Sequence, residues 1–195
     1  MIEWSESDEL IRESVRGFID KEIEPHRDGL ERGELSPYPI ARKLFSEFGL
    51  DVVAAEAVKT VLDKERAKAE AIATGEPKPA TDSPGGMGDI GGQLSMAAVL
   101  VSEIAGVSIG LLSTVGVSLG LGAATIMSRG TLAQKERWLP DLMTLEKIAC
   151  WAITEPDAGS DAFGGMKTYV KRDGDDYILN GQKTFITNGP DADVL

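Results

Sequence analysis

Trp151-Ala-Ile-Thr-Glu-Pro-Asp-Ala-Gly-Ser-Asp161-Ala-Phe-Gly-Gly165 marks the place where the chain changes period. Upstream of it, apolar residues recur at helical spacing; downstream they alternate between turn pairs. Residues 151–154, 167–171, 176–179 and 183–187 read as strands. Asp173-Gly174, Asn180-Gly181 and Asn188-Gly189 read as tight turns, so antiparallel hairpins are expected. The quoted stretch ends a strand at Thr154 and then turns through Gly159, which exposes backbone amides beside the hydroxyls of Thr154 and Ser160. Such a nest suits an anion or the edge of a polar heteroaromatic ring. Glu155 and Asp161 can act there as general acid or base, or can brace the turn. Phe185 and Thr187 fall on one face of the last strand, which suits a core edge or stacking on a planar ring.

Working back from this boundary, the chain is helical. Ser5 with Asp8 spells a capping box, followed by Leu10, Ile11, Val15, Phe18, Ile19 and Ile23 at helical spacing. Pro25 is expected to stop that helix. Ser36 and Pro37 start a second one carrying Ile40, Leu44, Phe45 and Phe48, and Gly49 ends it. Residues 51–74 form a third, with an apolar stripe at Val53, Ala57, Val58, Val61 and Leu62 and a charged, solvated second half. Residues 75–92 break every period and read as a loop. Gly86-Met87-Gly88-Asp89-Ile90-Gly91 spells G-x-G-x-x-G, but Thr81-Asp82-Ser83-Pro84 before it is no strand, so a dinucleotide fingerprint is rejected.

No charge falls between Glu103 and Arg129. A run of that length and polarity raises the question of a membrane span. Gly106, Gly110, Gly116, Gly120 and Gly122, together with the lack of basic clusters at its edges, favour a buried helix pair broken near 107–108. Thr131 and Gln134 form a second capping box, for a short helix ending at Trp138, Leu139 and Pro140.

The 195 residues carry 20 Lys and Arg against 32 Asp and Glu, a net charge of −12, which disfavours nucleic acid as a partner. A single cysteine and a single histidine exclude a disulfide framework and cysteine-rich metal clusters, and no metal site is expected. Cys150 reads as a buried thiol and His26 as a surface residue. The acidic start, residues 3–9, lacks the basic end of a secretory signal and the arginines of a transit peptide, so a cytoplasmic protein is expected. The fold class is α+β: an all-helical domain over residues 1–147, with an additional helix and loop at about 51–83, and a partial antiparallel β domain over 148–195.

Residues 152–164 resemble a signature of the acyl-CoA dehydrogenase family at every constrained position. Asn180-Gly-Gln-Lys183 and Ile186-Thr-Asn-Gly189 resemble its NGxK and ITNG hairpins. Gln134-Lys-Glu-Arg-Trp-Leu-Pro140 is similar to its QK..(Y/W)LP segment, and Pro84-Gly-Gly-Met-Gly88 to its YGGxG loop. The resemblance implies that the chain is the N-terminal half of such an enzyme, with a C-terminal helical bundle, absent here, to follow. It implies FAD as cofactor, lined by Trp151, Ile153, Thr154, Gly159, Ser160, Phe185 and Thr187, with Ser160 also near the acyl-CoA thioester. It implies α,β-dehydrogenation of an acyl-CoA, an electron-transferring flavoprotein as acceptor, and homo- or hetero-oligomers. Glu155 and Asp161 become structural in this scheme. The catalytic base is expected in the missing half, so no catalytic residue is nominated here. A non-catalytic or split subunit, or a flavin oxidase or monooxygenase on the same fold, is the alternative.

Overall fold

The computed structural model describes residues 4–74 and 90–195, residues 90–94 as backbone only. The motifs at 84–88 and 86–91 therefore lie wholly or largely outside the described residues. Helix α1 (Glu6–Phe18) starts where the sequence places it: Ser5 Oγ accepts from the Asp8 N–H at 3.2 Å and the Asp8 carboxylate accepts from the Ser5 N–H at 2.9 Å. It buries Val15 and Phe18. The chain does not stop at Pro25. It continues through a π-helical turn (Ile19–Ile23) and a 3-10 turn (Glu24–His26) into α2 (Arg27–Glu31). Pro25 sits in the first turn of the 3-10 stretch, where its missing N–H removes no needed bond.

Helix α3 (Tyr38–Glu47) is followed by Gly49, which takes the left-handed φ of +66° that lets the chain reverse into α4 (Leu50–Thr74). Helix α4 lies against α8 (Leu132–Met143), burying Val58 and Leu62 on Ala123, Leu139 and Leu142. Arg66–Glu136 at 2.6 Å and Lys135–Glu65 at 3.3 Å extend the contact at its edge. Beyond Arg66 the helix is almost wholly solvated, as its charge pattern predicts.

Helix α5 (Ile90–Ala105) begins within the stretch read as loop. The expected break follows it, and Ser108 caps α6 (Ile109–Gly116) by accepting from the Leu111 N–H at 3.3 Å. A π-helical segment (Val117–Ala123) then joins α6 to α7 (Ala124–Arg129). The continuous run Ile109–Arg129, with mean hydropathy 1.8, is long and apolar enough to cross a membrane, and 28% of its most apolar window is buried among the described residues. Helix α8 has the expected cap at Thr131 and Gln134 but runs past Pro140 to Met143. The main core gathers Phe18, Ile23, Leu44, Val99, Leu111 and Ile148. Glu103 binds α5 to α1, accepting from Arg12 at 2.8 Å and Arg16 at 2.7 Å; the Arg16 guanidinium foremost holds its carboxyl below the usual range.

The β part holds one regular hairpin, β1 (Tyr169–Asp173) against β2 (Asp176–Asn180), antiparallel with Tyr169 opposite Asn180. Gly174 opens its two-residue turn at φ +62°. Of the three turn pairs expected, only Asp173-Gly174 closes a hairpin among the described residues. Residues 151–154 and 183–187 are not strands. The first stretch is irregular and bounded by isolated bridges, Ala149 with Val194 and Glu155 with Ala158; the second bends at Phe185, φ +55°. A strand needs a neighbour over its whole length, and neither segment finds one among the described residues.

Candidate functional site

Two segments of irregular backbone, 151–161 and 183–188, lie side by side. The Thr184 N–H donates to the Thr154 carbonyl at 3.0 Å, and Lys183 Nζ donates to the Ile153 carbonyl at 3.0 Å. The same ammonium meets Glu155 Oε1 at 2.9 Å. Glu155 is 5% exposed, so its charge requires partners, and it has them: the Lys167 N–H at 2.6 Å and the Thr168 N–H at 2.9 Å complete the set. The Thr168 side chain, the Lys183 ammonium and the Lys167 amide hold its carboxyl down to about 2, from an ordinary 4.5. A carboxylate so committed is a brace, which is the role the family resemblance implied for it. Asp161 is exposed at the start of α9 (Ala162–Gly165) and makes no side-chain cap bond there.

At the far end of the second segment, Asn188 is buried and takes φ +65°. Its Nδ2 donates to the Thr114 carbonyl in α6 and to the Ala149 carbonyl, each at 3.0 Å, while Tyr38 donates to its Oδ1 at 3.4 Å. Ala149 is gripped from the other side, its N–H donating to Ser118 Oγ at 3.0 Å. Burial, then the Asp191 carboxylate, push the Tyr38 phenol up, and burial pushes the Cys150 thiol up as well.

The sequence-derived site residues divide into two groups. Trp151 and Ile153 border a cavity of about 410 Å³, walled by Gly122, Ile126 and Trp138 on the helical side and by Val194 and Leu195 on the other. Thr154, Gly159, Ser160, Phe185 and Thr187 do not line it. Thr154 is half-buried beside Thr184, Gly159 and Ser160 sit on an exposed turn, and Phe185 stands 92% exposed. Phe185 and Thr187 do not share a strand face, because the left-handed φ at Phe185 breaks the alternation. A Cβ added to Gly159 would meet nothing within 4 Å, so its backbone is open to approach from outside. The sequence reading placed Lys183 and Asn188 only within hairpin motifs, without a partner, and gave no role to Tyr38 or Ser118. A buried carboxylate in an acidic chain signals a cationic partner, but nothing local to Asn188 distinguishes an inward-facing amide from an Asn-Gly turn.

The chain thus runs from a helical part into a β segment in which two motif loops abut. The family model "Acyl-CoA dehydrogenase, N-terminal domain" matches residues 79–146, and "Acyl-CoA dehydrogenase, middle domain" matches residues 150–195. Glutaryl-CoA dehydrogenase of Desulfococcus multivorans is 31% identical over 187 residues, 96% of this chain and 41% of the relative. The crystal structure of a glutaryl-CoA dehydrogenase from Mycobacterium smegmatis in complex with FADH2 superposes with TM-score 0.66 at 27% identity, over 97% of this chain and 41% of that one. Butyryl-CoA dehydrogenase from Megasphaera elsdenii does so with TM-score 0.67 at 28% identity, over 100% and 45%. This chain belongs to the acyl-CoA dehydrogenase family. It spans 41% of the length of the Desulfococcus relative.

Proposed function

We propose that the chain contributes the N-terminal part of a flavin-dependent acyl-CoA dehydrogenase. Its helical domain, 1–147, would form one wall of the site and residues 148–195 the beginning of the flavin-binding β domain. The observation that carries this reading is the abutment of segments 151–161 and 183–188, held by the Lys183 and Thr184 bonds, with the Phe185 ring free beside them. These residues fit an isoalloxazine and its pyrophosphate. An exposed ring offers a stacking surface, and the open backbone at Gly159 and the Ser160 hydroxyl suit phosphate oxygens.

In this reading Trp151, Ile153 and Thr154 line the flavin ring, Gly159 and Ser160 contact the pyrophosphate, and Phe185 and Thr187 flank the ring. Ser160 also faces the acyl-CoA. FAD bound there supplies acceptance of a hydride from the β carbon of an acyl-CoA thioester. The chain's own contribution is orientation: Glu155 and Lys183 fix the two loops, and the apolar wall of Trp151 and Ile153 excludes water. No residue of this chain is assigned as the base. An electron-transferring flavoprotein as acceptor, oligomerisation, a cytoplasmic setting and no membrane span complete the proposal.

The test is reconstitution of the full-length protein with FAD. Bound flavin with its visible absorbance, bleached by a short-chain acyl-CoA, supports the reading, and colourless protein in excess FAD overturns it. Ser160→Phe, at an exposed turn, is expected to weaken FAD and acyl-CoA binding while leaving the melting temperature unchanged.

A further inference from the structure

We propose that Asn188 is a positioning residue for the flavin platform, its buried amide fastening the Phe185–Thr187 loop to the helical domain. The proposal rests on the reading above. The loop is held at its two ends, the first including the Thr184 N–H donated to the Thr154 carbonyl at 3.0 Å. At its start Lys183 holds the Ile153 carbonyl and Glu155; at its end Asn188 holds the carbonyls of Thr114 and Ala149. Between the pins the backbone takes a left-handed φ at Phe185, and the Phe185 ring touches solvent over 92% of its surface. Nothing packed around that ring fixes it, so its place relative to Thr154 is set by the Lys183 and Thr184 bonds at one end of the loop and by Asn188 at the other.

The Asn188 pin reaches furthest. Thr114 lies in α6, one turn before the π-helical segment, and Tyr38 opens α3, so a single amide joins the loop to two helices and to the 148–150 crossover. Ala149 is held on both sides, by Ser118 through its N–H and by Asn188 through its carbonyl, and it leads directly into Trp151. Asn188 therefore sets both halves of the platform at once.

Asn188→Gly tests this role, because glycine accepts the left-handed φ and removes the amide bonds. In the full-length protein, FAD affinity is measured by quenching of tryptophan fluorescence, and the visible circular dichroism of bound flavin reports the ring's setting. Val15→Ala, in the core of α1, serves as a control for lost stability. The expected result is at least a tenfold rise in the FAD dissociation constant and an altered flavin dichroism for Asn188→Gly, with wild-type values for Val15→Ala. Wild-type affinity and dichroism in Asn188→Gly would overturn the proposal, as would an equal loss in the control. If the unsubstituted protein binds no FAD, the functional reading falls first and this proposal with it.

Discussion

Gly122 and Gly17 are both helical glycines, and the same substitution at the two is expected to act in opposite directions. Gly122 lies in the π-helical segment, with the 148–150 crossover directly against it. A Cβ there would overlap the Cβ of Ala149, with the Ala149 Cα at 3.6 Å behind it. Ala149 has no rotamer with which to yield. Its backbone is fixed on one side by Ser118 and on the other by Asn188, both at 3.0 Å, so the methyl is accommodated only by displacing the crossover. That places the cost near the top of the overpacking range, about 3 kcal/mol. Alanine's better helix propensity returns about 1 kcal/mol. The net expectation for Gly122→Ala is a loss of about 2 kcal/mol, a fall in melting temperature of about 4–8 °C for a domain of this size. Gly17 in α1 is exposed and a Cβ there meets nothing within 4 Å, so Gly17→Ala should gain up to about 1 kcal/mol. Urea titration followed by far-UV circular dichroism measures both, with unchanged slopes expected. Gly122→Ala as stable as the parent, or both variants shifting the same way, would refute the close-approach argument.

Glu155 links the site to pH. Its folded carboxyl lies near 2, below the 4.5 of an unhindered glutamate, so the stability it contributes is complete above 4.5 and is lost as pH falls toward 2. The difference in urea midpoint between the parent and Glu155→Gln should therefore shrink steadily from pH 5 to pH 3; a constant difference would contradict the brace. On α4, Leu62→Ala should cost about 2–4 kcal/mol because Leu62 is buried against α8, whereas Ile72→Ser, at a position 66% exposed, should change stability by less than about 0.5 kcal/mol. Thermal melts of the two decide whether the second half of α4 carries any packing. Cys150 is 4% exposed and burial raises its thiol pKa, so a thiol reagent at pH 8 should leave it unmodified in the native protein and label it fully in urea. Rapid labelling without denaturant would show that the crossover opens.

Where information was local, the sequence alone determined the structure. The caps at Ser5 and Thr131, the break before Ser108, the reversal at Gly49 and the hairpin at Asp173-Gly174 all depend on side chains and backbone torsions within four residues of one another. Helical periodicity likewise found α1 and α3 and the buried half of α4. The motif between Trp151 and Gly165 was legible as a site because glycine, proline and hydroxyl residues cluster there for local reasons. Its partners were not. Alternation made residues 151–154 and 183–187 look like strands, but a strand exists only when a neighbour satisfies its backbone, and here the Ile153 and Thr154 carbonyls accept instead from the Lys183 ammonium and the Thr184 N–H. Pro25 does not end the helical run because it falls in the first turn of the 3-10 stretch, where no N–H is needed, and α8 runs past Pro140 to bury Leu142 beside Leu139. The pairing of Glu155 with Lys183 joins residues 28 positions apart, and that of Asn188 with Thr114 spans 74. Contacts at such separations leave no trace in a local pattern. Only the folded chain, in which a buried charge or amide must find its partner wherever that partner lies, decides them.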